Sequence, residues 1–219
     1  TVTVSDGCSP TVTATVTVTV LPVPVPSFTA DVVTGCSPLC VAFTDNSTIS
    51  GGSISSWDWD LDDGSASIVS GQNQSYCFSD PHSYSITLTT TSAAGCTASV
   101  TYNNYITVNP IPHAAFTVPL STSIITPEVQ YTDESSVSPG TIVSWNWTFG
   151  DLLDPTGNTS IQRNPTHTFT SEGLYCAHLL VTSSNGCQDS TDVCITIDPE
   201  FTFYVPNAFS PNGDGINDE

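Results

Sequence analysis

Apolar and polar residues alternate along most of this chain with a period of two. The plainest stretch is Thr11-Val-Thr-Ala-Thr-Val-Thr-Val-Thr-Val20, with Val on one face and Thr on the other. That period is the mark of a half-buried strand, so a strand is predicted there. The same parity turns Val41 and Phe43 inward on one strand, and Trp57, Trp59 and Leu61 inward on the next. Asp58, Asp60 and Asp62 then face outward. Tyr84, Ile86 and Leu88 share a face, as do Tyr175, Ala177, Leu179 and Val181. No stretch combines a helical period with caps, so the predicted fold is all-β.

The pattern also repeats at long range. Phe28-Thr-Ala returns as Phe116-Thr-Val, Phe43-Thr-Asp45 as Tyr131-Thr-Asp133, and Trp57-Asp-Trp59 as Trp145-Asn-Trp147. Each pair is about 88 positions apart. After a short insertion near Leu152 to Thr156 the spacing widens by three, matching Tyr84 to Tyr175 and Gly95-Cys96 to Gly186-Cys187. So long a period exceeds a solenoid unit and suits a string of separate sandwich domains. The predicted organisation is the tail of one domain (1–22), two complete domains (23–110 and 111–199) and the start of another (200–219). Proline marks the joints, in Leu21-Pro-Val-Pro-Val-Pro26 and Asn109-Pro-Ile-Pro112. Proline stiffens a linker and stops strands from running on, so an end-to-end rod is expected.

Two resemblances follow from particular residues. Trp57-Asp-Trp-Asp-Leu-Asp-Asp-Gly64 and Trp145-Asn-Trp-Thr-Phe-Gly-Asp151 resemble the Trp-x-Phe-Gly-Asp-Gly signature of the polycystic-kidney-disease (PKD) domain. His167-Thr-Phe169 and Gly173-x-Tyr175 resemble later positions of that family. The copies depart from it where Asp62 and His82 replace glycines and where Leu152 stands at the last turn position. The resemblance implies tandem immunoglobulin-like sandwiches, with Asp63 and Asp151 as turn-shaping aspartates. The final run, Val205-Pro-Asn-Ala-Phe-Ser-Pro-Asn-Gly-Asp-Gly-Ile-Asn-Asp-Glu219, resembles the opening of the gliding-motility-associated, type B sorting domain of type IX secretion in Bacteroidota. That resemblance implies delivery to the cell surface or beyond, with the type IX machinery as a partner.

Charge narrows the function classes. The 219 residues hold one Lys or Arg, which is Arg163, against 21 Asp and Glu, for a formal net charge of −20. Nucleic-acid binding depends on Lys and Arg neutralising phosphate, and an anionic membrane surface demands the same sign; both are excluded. No apolar run approaches a membrane span. The acidity serves solubility and mutual repulsion of neighbours.

Eight cysteines in so polar a chain point to an oxidising compartment and to disulfides. Their spacing lacks the four clustered ligands of structural zinc. Parity places Cys176 opposite Cys194 across the last hairpin, both facing outward, and by the same parity Cys40 and Cys77 face outward on strands expected to be neighbours. Each pair is expected to bridge. Cys36 and Cys96 both follow glycine in one repeat, but an immunoglobulin-like topology puts them at opposite poles. A bridge from Cys36 to Cys187 of the next repeat is expected instead.

Other candidates carry less chemistry. Trp57, Trp59, Trp145 and Trp147 share the inward face, so they are expected in the core with Tyr84 and Tyr175, the tyrosines placed as in an immunoglobulin tyrosine corner. Ligand stacking by the tryptophans is the alternative. The run Asp58 to Asp63 is a candidate for calcium, and Asn212, Asp214 and Asp218 are better spaced for it; no other cofactor is implied. The four histidines have no motif-grade neighbours, and no nucleophile elbow, zinc-protease or phosphate-loop motif occurs. Four Asn-x-Ser/Thr triplets and Asp189-Ser-Thr191 are short enough to arise by chance in a Ser- and Thr-rich chain.

The expected function is therefore that of a non-enzymatic extracellular spacer in a surface adhesin or filament protein. Its partners would be neighbouring domains or subunits, with surface glycans as a further possibility. The alternative is a carbohydrate-binding accessory region of a secreted polysaccharide-degrading enzyme.

Overall fold

Every regular element in the described residues is a strand, the outcome that period-two patterning dictates. The computed structural model describes residues 2–4, 6–8, 12–64, 69–154 and 156–200. The chain divides into two units, Thr1–Asn109 and Pro110–Glu219. The residues proposed for calcium near the C-terminus, Asn212, Asp214 and Asp218, lie outside the described residues, as does the stretch resembling a sorting domain.

In the first unit a five-stranded sheet runs in the order Thr34–Cys36, Thr97–Asn109, Ser83–Ser92, Ile54–Asp60, Val69–Ser70. A three-stranded sheet is formed by Gln74–Phe78, Leu39–Asp45 and Phe28–Ala30. Alternate residues of both sheets meet in one core that contains Phe28, Val41, Phe43, Trp59, Phe78, Ile86, Leu88 and Ile106. This is the arrangement of a sandwich, in which the inner faces interdigitate. All strand pairs are antiparallel except that Thr34–Cys36 lies parallel to the end of Thr97–Asn109, with Cys36 beside Asn109.

The second unit repeats the plan. Its larger sheet runs Ser121–Ser123, Gln188–Asp198, Gly173–Ser183, Ile142–Thr148, Thr159–Ser160. Opposite it, Glu128–Gln130 pairs with Thr166–Thr168, and Thr132–Asp133 pairs with Phe116–Thr117. Tyr131, between those two short strands, still donates its amide to the Pro165 carbonyl at 2.9 Å.

Trp59 and Trp147 are completely buried at the centre of their units. Phe28 meets Trp59 edge-on with centroids 5.1 Å apart, and Phe116 meets Trp147 the same way at 5.0 Å. Tyr84 and Tyr175 are buried as well, and each hydroxyl donates to a carbonyl four residues upstream, Asp80 at 2.7 Å and Ser171 at 3.1 Å. That is the tyrosine-corner geometry. It pins the start of the long central strand to the preceding turn.

Two expectations need correction. Of the described residues in the run 11–20, Val12–Ala14 form a strand, paired with Val2–Val4; residues 15–20 lie outside it, with Val18 80% exposed. Alternation supplies an amphipathic strand but not the sheet that covers it, and a two-stranded ribbon buries little. Trp57 and Trp145 are also not core residues in full. They face the expected way but sit at the margin of their clusters, half-buried, because their strands reach the edge of the sandwich there.

Candidate functional site

The turn after the Trp-x-Trp strand is built differently in the two units around the same aspartate. Asp151 is fully buried; its Oδ1 accepts the Leu153 amide at 3.2 Å, and its own amide donates to Asn158 Oδ1 at 2.8 Å. Its other oxygen faces His167 Nε2 at 3.4 Å. In the first unit Asp63 accepts the Tyr76 hydroxyl at 2.7 Å, and Tyr76 stands at the position of His167. Holding that hydrogen bond to a carboxylate, with burial added, raises the Tyr76 pKa above its ordinary value. The aspartate, the imidazole and the phenol all serve turn geometry.

A second constellation recurs at the Trp-bearing edge. Asp45 accepts the Ser47 amide at 2.9 Å, and its own amide donates to Asn73 Oδ1 at 3.0 Å. Asp133 does the same with Ser135 at 3.0 Å and Asn164 at 2.9 Å. From there the repeats diverge. Trp57 Nε1 donates to Asp45 Oδ2 at 2.7 Å, with Gln72 Nε2 at 3.4 Å from the same oxygen. In the second unit Arg163 replaces that glutamine, and its Nε donates to Asp133 Oδ2 at 3.0 Å. The guanidinium lies over the Trp145 ring, 5.7 Å from its centroid. Trp145 Nε1 is left buried with no hydrogen-bond partner. Beside it opens a cleft of about 340 Å³ lined by Asp133, Ser135, Ser136, Thr141, Ile142, Trp145 and Arg163, among others. Motif reading missed this site, because neither a single arginine nor a core-facing tryptophan is a signature; the one signal was that Arg163 is the chain's sole cation.

The acidic run Asp58 to Asp63 is not brought together. Asp58 Oδ1 accepts the Ser70 hydroxyl at 2.8 Å, Asp60 Oδ1 the Asp62 amide at 3.1 Å, and Asp62 Oδ2 the Ser85 amide at 3.1 Å. Among the described residues no group of three or more His, Cys, Asp or Glu could hold a metal ion. Asp189, in the Asp-Ser-Thr triplet, accepts the Ala114 amide at 2.8 Å.

The cysteines sit where cross-strand chemistry allows bonds. Cys40 and Cys77 are directly opposed and form a disulfide, Cα atoms 3.8 Å apart. Cys176 and Cys194 are likewise opposed and bonded, at 3.9 Å. All four are exposed on the outer faces. The bridges occupy opposite sheets: the first repeat staples its smaller sheet, the second its larger one. Glu128 pairs with Thr168 where the first bridge would recur. A bulge between Tyr84 and Ile86 stands near the counterpart of the second. Cys96 opens the strand Thr97–Asn109 that ends beside Cys36, so those two cysteines belong to opposite poles.

The PKD domain family matches residues 22–108 and again 109–197. The chain belongs to the PKD domain family. Its PKD domains are similar to segments of Collagenase ColA of Bacillus cereus (34% identity over 80 residues, 35% of this chain and 8% of that protein). A microbial collagenase of Vibrio alginolyticus is 46% identical over 59 residues, 26% of this chain and 7% of that protein. The chain thus spans less than a tenth of these curated relatives. Among solved structures, the PKD1 domain of Vibrio anguillarum Epp is 26% identical, covering 42% of this chain and 99% of that one, with a TM-score of 0.36. The PKD1 domain of the Vibrio cholerae metalloprotease PrtV is 33% identical, covering 40% and 98%, with a TM-score of 0.34. PKD domains are non-catalytic accessory domains of secreted proteins.

Proposed function

We propose that this chain is a covalently braced extracellular spacer in a type IX-secreted surface adhesin or filament protein, one that serves gliding in its host. The observation that carries this reading is how each PKD unit is braced. Each closes its own aromatic core, and each carries a disulfide on an exposed sheet face. A bridge of this loop length stabilises by about 3–4 kcal/mol on the loop-entropy account. The recurring aspartates Asp45, Asp63, Asp133 and Asp151 are engaged by nearby amides and hydroxyls. Proline stiffens such joints, so an end-to-end rod is the arrangement this reading requires, with neighbouring domains or subunits as partners and the type IX machinery reading the C-terminal segment.

Small-angle scattering of the 219-residue chain tests the rod. The radius of gyration is expected well above the ~17 Å of one compact body of this length. A value near that figure sinks the spacer reading. Export of a reporter carrying the C-terminal segment with its following sequence, in cells with and without a working type IX system, tests delivery.

A second reading is an accessory region of a secreted degradative enzyme, supported by the likeness to segments of collagenases. The complete sequence of the parent protein separates the two: many more repeats support the spacer, a hydrolase domain the accessory.

A further inference from the structure

We propose that the cleft between Trp145 and Arg163 binds the carboxylate of a uronic acid residue in an acidic glycan. This inference is independent of the spacer reading, since a rod can carry such a site or lack it. It begins from what one change between the repeats does. Where the first repeat has Gln72, Trp57 and Asp45 satisfy each other at 2.7 Å. Arg163 instead takes the matching carboxylate through Nε, and the Trp145 indole N–H is left buried without an acceptor. A buried donor without a partner is costly, on the order of 1–3 kcal/mol, and the exchange leaves the largely exposed Arg163 side chain in its place at the surface.

The donors that remain free point to the ligand's chemistry. Asp133 is only 1% exposed; its oxygens are occupied by Arg163 and the Ser135 amide, so it offers no acceptor. The Arg163 side chain is 62% exposed, and no acceptor among the described residues takes its terminal nitrogens. A planar pair of guanidinium N–H groups matches a carboxylate bidentately. The Trp145 N–H itself is out of solvent's reach, but Trp145, Ser136 and Thr141 all line the same cleft. Ile142 gives an apolar wall for the C–H face of a sugar ring, which a peptide carboxylate on a flexible methylene chain would not use. At about 340 Å³ the cleft falls at the small end of ligand pockets, room for one or two saccharide units. In a chain of net charge −20, the cleft also holds the single side-chain cation.

The test follows the four tryptophan indole N–H signals of the full chain by ¹H–¹⁵N NMR, with Trp145 assigned through Trp145→Phe. Trigalacturonate is expected to shift the Trp145 signal to saturation and leave Trp57 still. Neutral galactotriose and an acetylated Glu-containing peptide are expected to leave both unmoved. Arg163→Gln restores the first repeat's residue and is expected to fold, weakening binding roughly tenfold or more, the scale of a lost charge-assisted hydrogen bond. The proposal fails if trigalacturonate leaves Trp145 unmoved, if galactotriose or the peptide shifts it equally, or if Arg163→Gln binds unchanged.

Discussion

Asp62 and Gly150 stand at the same turn of their repeats and share one left-handed conformation, with φ of 57° and 77°. Glycine adopts it without cost, and aspartate tolerates it better than most residues. The space beside the two is used differently. A Cβ on Gly150 would stand 2.6 Å from the Cys176 carbonyl oxygen. The Asp62 side chain reaches the counterpart of Cys176 and accepts the Ser85 amide at 3.1 Å. Gly150→Ala is therefore expected to destabilise the second unit by about 2 kcal/mol or more, from backbone strain and overlap together. Asp62→Gly should cost about 1 kcal/mol, the worth of one hydrogen bond. Urea titration of each variant checks the ranking, and equal losses would break it.

Tyr131 and Phe43 occupy matching core positions, but the Tyr131 hydroxyl is buried with no partner. Tyr131→Phe is expected to stabilise the second unit by about 1 kcal/mol. Thr90 presents the same case against Val181, its hydroxyl equally orphaned, and Thr90→Val should gain a similar amount. Thermal melts of both variants decide the matter; a fall in either melting temperature would contradict the reading.

Burial raises the Tyr131 pKa far above its ordinary value of 10.0. The folded state then holds the phenolic proton more tightly than the unfolded state. Stability from this group is fully present below pH 10.0 and is lost as pH climbs from there towards the folded pKa. Denaturant titrations at rising alkaline pH should show stability falling, with a shallower slope in Tyr131→Phe. Identical slopes would place the alkaline sensitivity elsewhere.

A peptide map run without reductant is expected to return Cys40–Cys77 and Cys176–Cys194 as linked pairs. It is also expected to return Cys36 joined to Cys187. Within its own unit Cys36 lies beside Asn109, where that unit ends. Within its own unit Cys187 closes the hairpin whose Asp189 holds the Ala114 amide, near where the second unit begins. A Cys36–Cys96 or Cys36–Cys40 peptide would overturn that third assignment.

Much of this architecture was readable residue by residue. Parity alone placed Val41, Phe43, Ile86, Leu88 and Leu179 inward, and the same counting set Cys176 against Cys194, because a strand's period admits no drift. What parity cannot report is whether a covering sheet exists, and so it overreached at Val16 to Val20. Nor can it say how far along a strand the sandwich extends, which is why Trp57 and Trp145 came out half-buried. The cleft beside Trp145 was hidden for another reason. It depends on Asp133, Trp145 and Arg163 converging from three separate segments, and on a hydrogen bond that fails to form.

The outward bridges also govern what a protease can achieve. A cut anywhere between Cys40 and Cys77, a span of 37 residues, leaves both fragments tied through the bridge, and a nick in the hairpin between Cys176 and Cys194 does the same. Trypsin-like enzymes find only the bond after Arg163, since the chain has no lysine. Outside those two loops neither bridge holds a cut chain together, and the bond after Arg163 is one such place; inside them the damage would show only once a reductant was added.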